Sequence, residues 1–175
     1  MENHSIHNAL KIDAVVYIGT TDYGVLKSNP LDPSGFDEIH PIGPLKNTVF
    51  SLSHGYGNLW VSYGDYSIGF NPYPLRYYGI SNYENSEWVN TSYDSIRDTT
   101  GAPVSSLNRI SINTFNPNQV YISSYHHGLL DFKKGESITL LDDSNSSLES
   151  LVNPDNPNYK SIRISGSTFD RDGNL

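Results

Sequence analysis

The chain has 175 residues, a formal net charge of −8 and 36% hydrophobic residues, enough for one domain of ordinary size. Its 11 Lys and Arg are scattered, so the basic stripe that tracks a phosphate backbone is absent and nucleic acid is excluded as a partner. With no Cys there are no disulfides or thiolate metal sites, and no apolar stretch approaches the roughly 20 residues of a spanning helix. The 13 Tyr against one Met, with frequent Val and Ile, suit half-buried pleated surfaces, and 14 Gly and 10 Pro supply turns.

Met1 to Lys11 lacks the apolar core of a secretory signal. His7 to Ile12 is a candidate strand, and Val16-Tyr17-Ile18-Gly19-Thr20 is a clearer one. Gly24-Val25-Leu26 opens a third, and Phe36 to His40 reads as a weaker outer strand. A second unit follows: Val49 to Leu52, the turn Gly55 to Asn58, Leu59-Trp60-Val61-Ser62-Tyr63, then Ile68-Gly69-Phe70 and an outer strand over Arg76 to Ile80. Ser81 to Val104 is predicted as a long connection carrying Trp88 and Tyr93.

The third unit repeats the pattern most cleanly. Ile110 to Phe115 leads through the turn Asn116-Pro117-Asn118-Gln119 into Val120-Tyr121-Ile122-Ser123-Ser124, then Gly128-Leu129-Leu130, then Ser137 to Leu141. The spacing from Val120 to Gly128 equals that from Val16 to Gly24. Asp142 to Tyr159 is a polar connection in which Leu148 and Leu151 form one helical turn, and Ile162-Arg163-Ile164, Thr168-Phe169 and Asp170 to Leu175 reopen the motif.

Strand, Asx/Gly turn, strand, short loop and two further strands, recurring every ~40–50 residues, is the blade of a β-propeller. An all-β sandwich also places hairpins at regular intervals and is the competing architecture. The expected fold class is therefore all-β, with antiparallel four-stranded blades of an incomplete propeller over approximate bounds 12–44, 45–104, 105–152 and the start of another at 160–175. On this reading two fuller blades are flanked by partial ones, and the chain is part of a longer protein.

Asp170 to Leu175, Asn58-Leu59-Trp60-Val61 and the run from Val120-Tyr121-Ile122 to Gly128-Leu129-Leu130 resemble the two-component regulator propeller repeat. Residues 116–124 and 167–175 are similar, more particularly, to PorZ-type proteins of the Bacteroidetes type IX secretion system. The resemblance implies a surface-exposed, extracytoplasmic, non-catalytic segment that binds a glycan, lipopolysaccharide or a protein of the secretion machinery. A periplasmic sensor region of a hybrid two-component system is the alternative it leaves open. The first unit departs from the repeat in lacking Trp, and the third has Tyr121 at the Trp position.

The loops between second and third strands are expected on one face, each with an aromatic beside a polar group: Tyr23 in the first, Tyr63, Asp65 and Tyr66 in the second, and Tyr125, His126 and His127 in the third. They can stack on sugar rings or anchor a partner, or the tyrosines can wedge between neighbouring blades. Trp60, Tyr17 and Tyr121 sit in strands and read as core. No metal site or cofactor is expected. Adjacent His126 and His127 would point to opposite faces in a strand, and the Asx and Gly residues of 170–174 are as much demanded by a turn as by calcium. No nucleophile or phosphate-loop motif occurs. Asp65, Glu87 and Asp94 are the acids a propeller-fold glycoside hydrolase would have to bring together.

Overall fold

The computed structural model describes residues 5–21, 24–39 and 42–175. Among these residues twelve antiparallel strands form three sheets of four, each a meander of consecutive strands, and one short helix joins the last two sheets. This is the propeller-blade pattern rather than a sandwich. The chain divides into two compact units, Met1–Gly43 and Pro44–Leu175.

The first unit is one sheet, β1 (Ile6–Ile12), β2 (Val15–Thr20), β3 (Val25–Asn29) and β4 (Asp32–Ile39). Asp13, at φ +52°, turns the tight hairpin that pairs Ile12 with Val15. At the next connection Asn29 Oδ1 accepts from Leu31 N at 2.9 Å, an Asx turn. His7 to Ile12 thus supplies the innermost strand, and the expectation of a partial first blade is corrected to four strands.

The second unit holds β5 (Ser51–Gly55), β6 (Asn58–Ser62), β7 (Ile80–Glu84) and β8 (Glu87–Thr91), then α1 (Tyr93–Thr100), then β9 (Leu107–Ile112), β10 (Gln119–Ser124), β11 (Gly128–Lys133) and β12 (Ser137–Leu141). Here the middle sheet departs from the sequence reading. Ile68-Gly69-Phe70 and Arg76 to Ile80 are not its third and fourth strands, and Ser81 to Val104 is not an open connection. Those strands are β7 and β8, after a loop over 63–79, and the helix follows them.

The physical reason is polar burial. Strand β7 reads Ile-Ser-Asn-Tyr-Glu, with Ser81 and Asn82 buried, so it carries no apolar alternation. Ser81 Oγ accepts from Leu45 N at 3.0 Å and donates to Asn90 Oδ1 at 2.6 Å, while Asn82 Nδ2 donates to Leu59 O at 3.3 Å. Partnered this way, buried Ser81 costs little, whereas Asn82 is only half satisfied, its Oδ1 being buried without a partner.

Helix α1 starts where Ser92 Oγ accepts from Ser95 N and ends at Gly101, φ +69°, whose N–H returns to Arg97 O. It drives Ile96 fully into the core. One face of the third sheet, formed by Ile110, Val120, Ile122, Leu130 and Phe132, packs with Trp60, Ile80, Ile96 and Val104. Trp60 meets the Phe132 ring edge-on at 5.5 Å, so the expected core role of Trp60 holds, whereas Tyr17 and Tyr121 are half-buried.

The two inner strands of this unit are joined by side chains reaching for backbone. Ser53 Oγ donates to Ile110 O at 2.5 Å, Ser62 Oγ to Asn108 O at 2.7 Å, and Tyr56 OH to Thr114 O. Gly64 N donates to Leu107 O at 2.8 Å, and a Cβ on Gly64 would overlap the Leu107 backbone.

After β12 the chain turns at Asp142 to Asn145, and residues 148–151 form no helical turn, contrary to expectation. Asp142 instead takes up Ser144 N and Ser144 Oγ, which fixes the turn without helix. Residues 161–164 run extended beside the β10–β11 turn. Ile162 N donates to His126 O, Gly128 N to Ile162 O and Ile164 N to Ser124 O, at 2.9–3.1 Å.

Candidate functional site

The site residues fall where the 63–79 loop, the β10–β11 turn and the 159–164 segment converge. Tyr66 lies with its ring 4.2 Å from that of Tyr125, tilted by 30°. Phe50 meets Tyr66 edge-on at 5.2 Å, and Phe70 stacks on Tyr66 at 5.8 Å. Guanidinium groups close both ends of the row, Arg109 over Phe50 and Arg163 over Tyr125, each 5.8–5.9 Å from the ring centre. Among the described residues neither arginine has a carboxylate within ion-pair distance.

Arg163 also organises the polar part. It donates from Nε to Ser161 Oγ, from Nη1 to Phe70 O and from Nη2 to Tyr159 OH, at 3.1–3.3 Å. Ser161 Oγ in turn lies 2.8 Å from His126 Nδ1. The His126 ring packs against Tyr73 and Tyr159 at 5.6 and 6.1 Å, and against His127 at 4.7 Å. Hydrogen bonds from Ser161 and Tyr73, with the Arg163 charge, hold the Tyr159 phenol below its ordinary range, and the bond to Tyr159 pushes Tyr73 up.

Both imidazoles are driven toward the neutral form. Burial, then the Arg163 charge, lowers His126; burial, then His126, lowers His127 to about 4. The backbone N–H of Ser105 donates to His127 Nδ1 at 3.2 Å and the Ser105 hydroxyl lies 3.0 Å from the same atom. Nδ1 is therefore the acceptor, and the ring proton sits on Nε2. The pair acts here as a strut between the turn and its neighbours. Among the described residues no group of His, Asp and Glu is placed to hold a metal ion.

Of the residues the sequence singled out, Tyr66 and Tyr125 are brought together, with His126 and His127 behind them. Tyr63 is not in this row. It is 4% exposed and donates its hydroxyl to Ser81 Oγ at 2.6 Å, and burial raises its phenol. Tyr125 and His126 are also buried, at 7% and 8%. Tyr63 and Tyr125 are thus buried, while Tyr66 and Asp65 retain partial exposure. Asp65 pairs with Arg76 at 3.5 Å. Tyr23 lies outside the described residues.

The other acids go elsewhere. Asp94 pairs with Arg97 on α1, and Glu87 opposes Glu84 across the β7–β8 turn. Asp170 is taken up by its own turn, accepting from Asp172 N, Asn174 N and Asn174 Nδ2 at 2.8–2.9 Å, and those bonds depress its carboxyl. Phe50, Phe70, Tyr73, Arg109, Tyr159 and Arg163 are not singled out by the sequence. They are scattered along the chain, and the repeat pattern places Phe70 in a strand. The length of the 63–79 loop would have signalled it, had β7 been legible.

No family model and no curated protein matches the chain. Two solved structures do. One is PorZ, described as an essential bacterial surface component of the type IX secretion system of Porphyromonas gingivalis, with a TM-score of 0.72 and 16% identity over 97% of this chain. The other is the extracellular domain of a hybrid two-component system protein from B. thetaiotaomicron, with a TM-score of 0.41 and 13% identity over 82%. The chain spans 22% of the first and 19% of the second. The propeller fold expected from the repeat is the fold of the PorZ match. Among the described residues no helix is long and apolar enough to cross a membrane.

Proposed function

We propose that this chain is a non-catalytic recognition segment of an extracytoplasmic propeller protein related to type IX secretion. It engages a glycan, a lipopolysaccharide or a protein of the secretion machinery through the loop face at Tyr66. The supporting observation is the continuous row Arg109, Phe50, Tyr66, Tyr125 and Arg163, which presents aromatic faces and cations from a chain whose net charge is −8. Within the row Tyr125 is buried and, with His126, holds Tyr66 in place, and the half-exposed Tyr66, Asp65 and Tyr73 meet the ligand. The fold shared with a surface component of that secretion system favours this setting.

Glycan arrays and lipopolysaccharide pull-downs on the full-length protein, with and without Tyr66→Ala, test the reading. Binding that falls about tenfold or more in the variant supports it. Absence of both saccharide binding and any protein partner rejects it.

A further inference from the structure

The β10–β11 turn meets the 159–164 segment through two imidazoles. Ser105 N donates to His127 Nδ1 at 3.2 Å. A backbone N–H cannot reverse its role, so that nitrogen takes no proton of its own while the bond lasts. His126 stands one hydroxyl away from a cation: its Nδ1 lies 2.8 Å from Ser161 Oγ, which accepts from Arg163 Nε at 3.1 Å. The two rings are 4.7 Å apart. A proton on His127 therefore sets donor against donor, and a proton on His126 sets a second cation beside Arg163.

The packed neighbours supply no countercharge. The 63–79 loop presents the Tyr73 phenol to His126, and the 159–164 segment presents Tyr159 and the Arg163 cation. Ser105 comes from the connection before β9. Asp142, whose backbone lies beside Gly128 after β12, keeps its carboxylate on Ser144. Among the described residues no carboxylate lies within ion-pair distance of either imidazole. The strain falls on the more lightly tied element. Strands β10 and β11 pair over six consecutive positions, whereas residues 161–164 reach the turn through three backbone hydrogen bonds, those of Ile162 N, Gly128 N and Ile164 N. A segment held by fewer backbone bonds opens at a lower free energy than the strands beside it.

We propose that this junction is an acid-opened latch: protonation of the histidine pair frees residues 159–164 from the β10–β11 turn and withdraws Arg163 from Tyr125 and Phe70. Binding at the Tyr66 face is then acid-sensitive, a consequence that rests on the recognition reading above. Burial and then the neighbouring ring lower His127 to about 4, and burial and then Arg163 lower His126. In the open form the rings regain the ordinary 6.5, so the open form binds more protons than the closed one. The latch is at its most stable above about pH 6.5 and is lost as pH falls toward 4.

Amide hydrogen exchange on the full-length protein, corrected for the intrinsic effect of pH, tests the latch without a ligand. Between about pH 7 and about pH 4.5, protection at Gly128, Ile162 and Ile164 should fall about tenfold or more relative to the rest of β11. In His127→Asn, whose amide oxygen can accept from Ser105 N and takes no proton, that loss should shrink to less than about threefold. A segment that stays protected in acid, protection that falls equally across β10, β11 and the segment, or an unchanged acid response in His127→Asn overturns the inference. Should that variant not fold, NMR titration of the wild-type rings decides: protonation of His127 must accompany the loss of protection, and loss without it overturns the inference. A latch that opens in acid, with no saccharide or partner bound at any pH, rejects only the recognition reading. Tyr66-dependent binding with a latch still closed at about pH 4.5 rejects only this inference.

Discussion

The rings of Tyr66 and Tyr125 lie 4.2 Å apart, one from a long loop of the second sheet and one from a tight turn of the third. That contact ties two sheets together at the face proposed above for recognition. Its members differ in burial: Tyr125 is 7% exposed and Tyr66 is half-buried. Tyr125→Ala should therefore cost about 3–4 kcal/mol in urea unfolding, as for a buried aromatic, and Tyr66→Ala only about 1–2 kcal/mol. Equal costs would mean that the row is core throughout.

The edge of Trp60 on Phe132 anchors the unit's core. Trp60→Ala should lose about 3–5 kcal/mol and Trp60→Phe distinctly less, because the latter keeps an aromatic edge and leaves a smaller cavity. Denaturant unfolding monitored by circular dichroism separates the two. If Trp60→Ala costs under about 1 kcal/mol, the side chain does not hold the sheets together.

Two glycines should respond differently to alanine. At Gly64 a Cβ would overlap Leu107 backbone that cannot yield without breaking the Gly64 N to Leu107 O bond, so Gly64→Ala should cost about 2 kcal/mol or more. Gly57 has φ +73° with open space around it, so Gly57→Ala should cost only about 1 kcal/mol, from backbone strain. Thermal melts of both variants check the order.

His127 gives stability a pH dependence of predictable sign. Its folded pKa of about 4 lies below the ordinary 6.5, so between those values the unfolded chain binds more protons than the folded one. The stability tied to its neutral form is complete above about pH 6.5 and is lost as pH falls toward 4, at most about 3.4 kcal/mol and less once solvent screening of the partly exposed ring is counted. His126 is lowered too and adds in the same direction. In His127→Gln the slope of unfolding free energy between pH 6.5 and 4 should shrink markedly. An unchanged slope would mean that the ring is solvated and that its contact with Ser105 is not maintained.

How far these features were legible before folding differs from one to the next. The third sheet could be read almost strand for strand, because Ile110, Val120, Ile122 and Leu130 alternate with polar residues and an Asn-Pro-Asn turn separates them. The middle sheet could not, because Ser81 and Asn82 are buried polar residues whose partners, Leu45, Tyr63 and Leu59, are supplied by other segments. Alignment of the repeated units gives Ile68 and Phe70 to a strand, whereas they are the exposed tip of a loop.

The all-β class, the repeating blade and the turn chemistry followed from the amino-acid sequence by itself, since alternation, Asx and Gly act over a few neighbouring residues. Which tyrosines are core and which face outward was decided only by tertiary structure. So were the pairing of Arg163 with Phe70 and Tyr159, and the neutral His126–His127 strut. Those depend on which distant segments supply a hydrogen-bond partner or exclude water, and that is a property of packing rather than of local pattern.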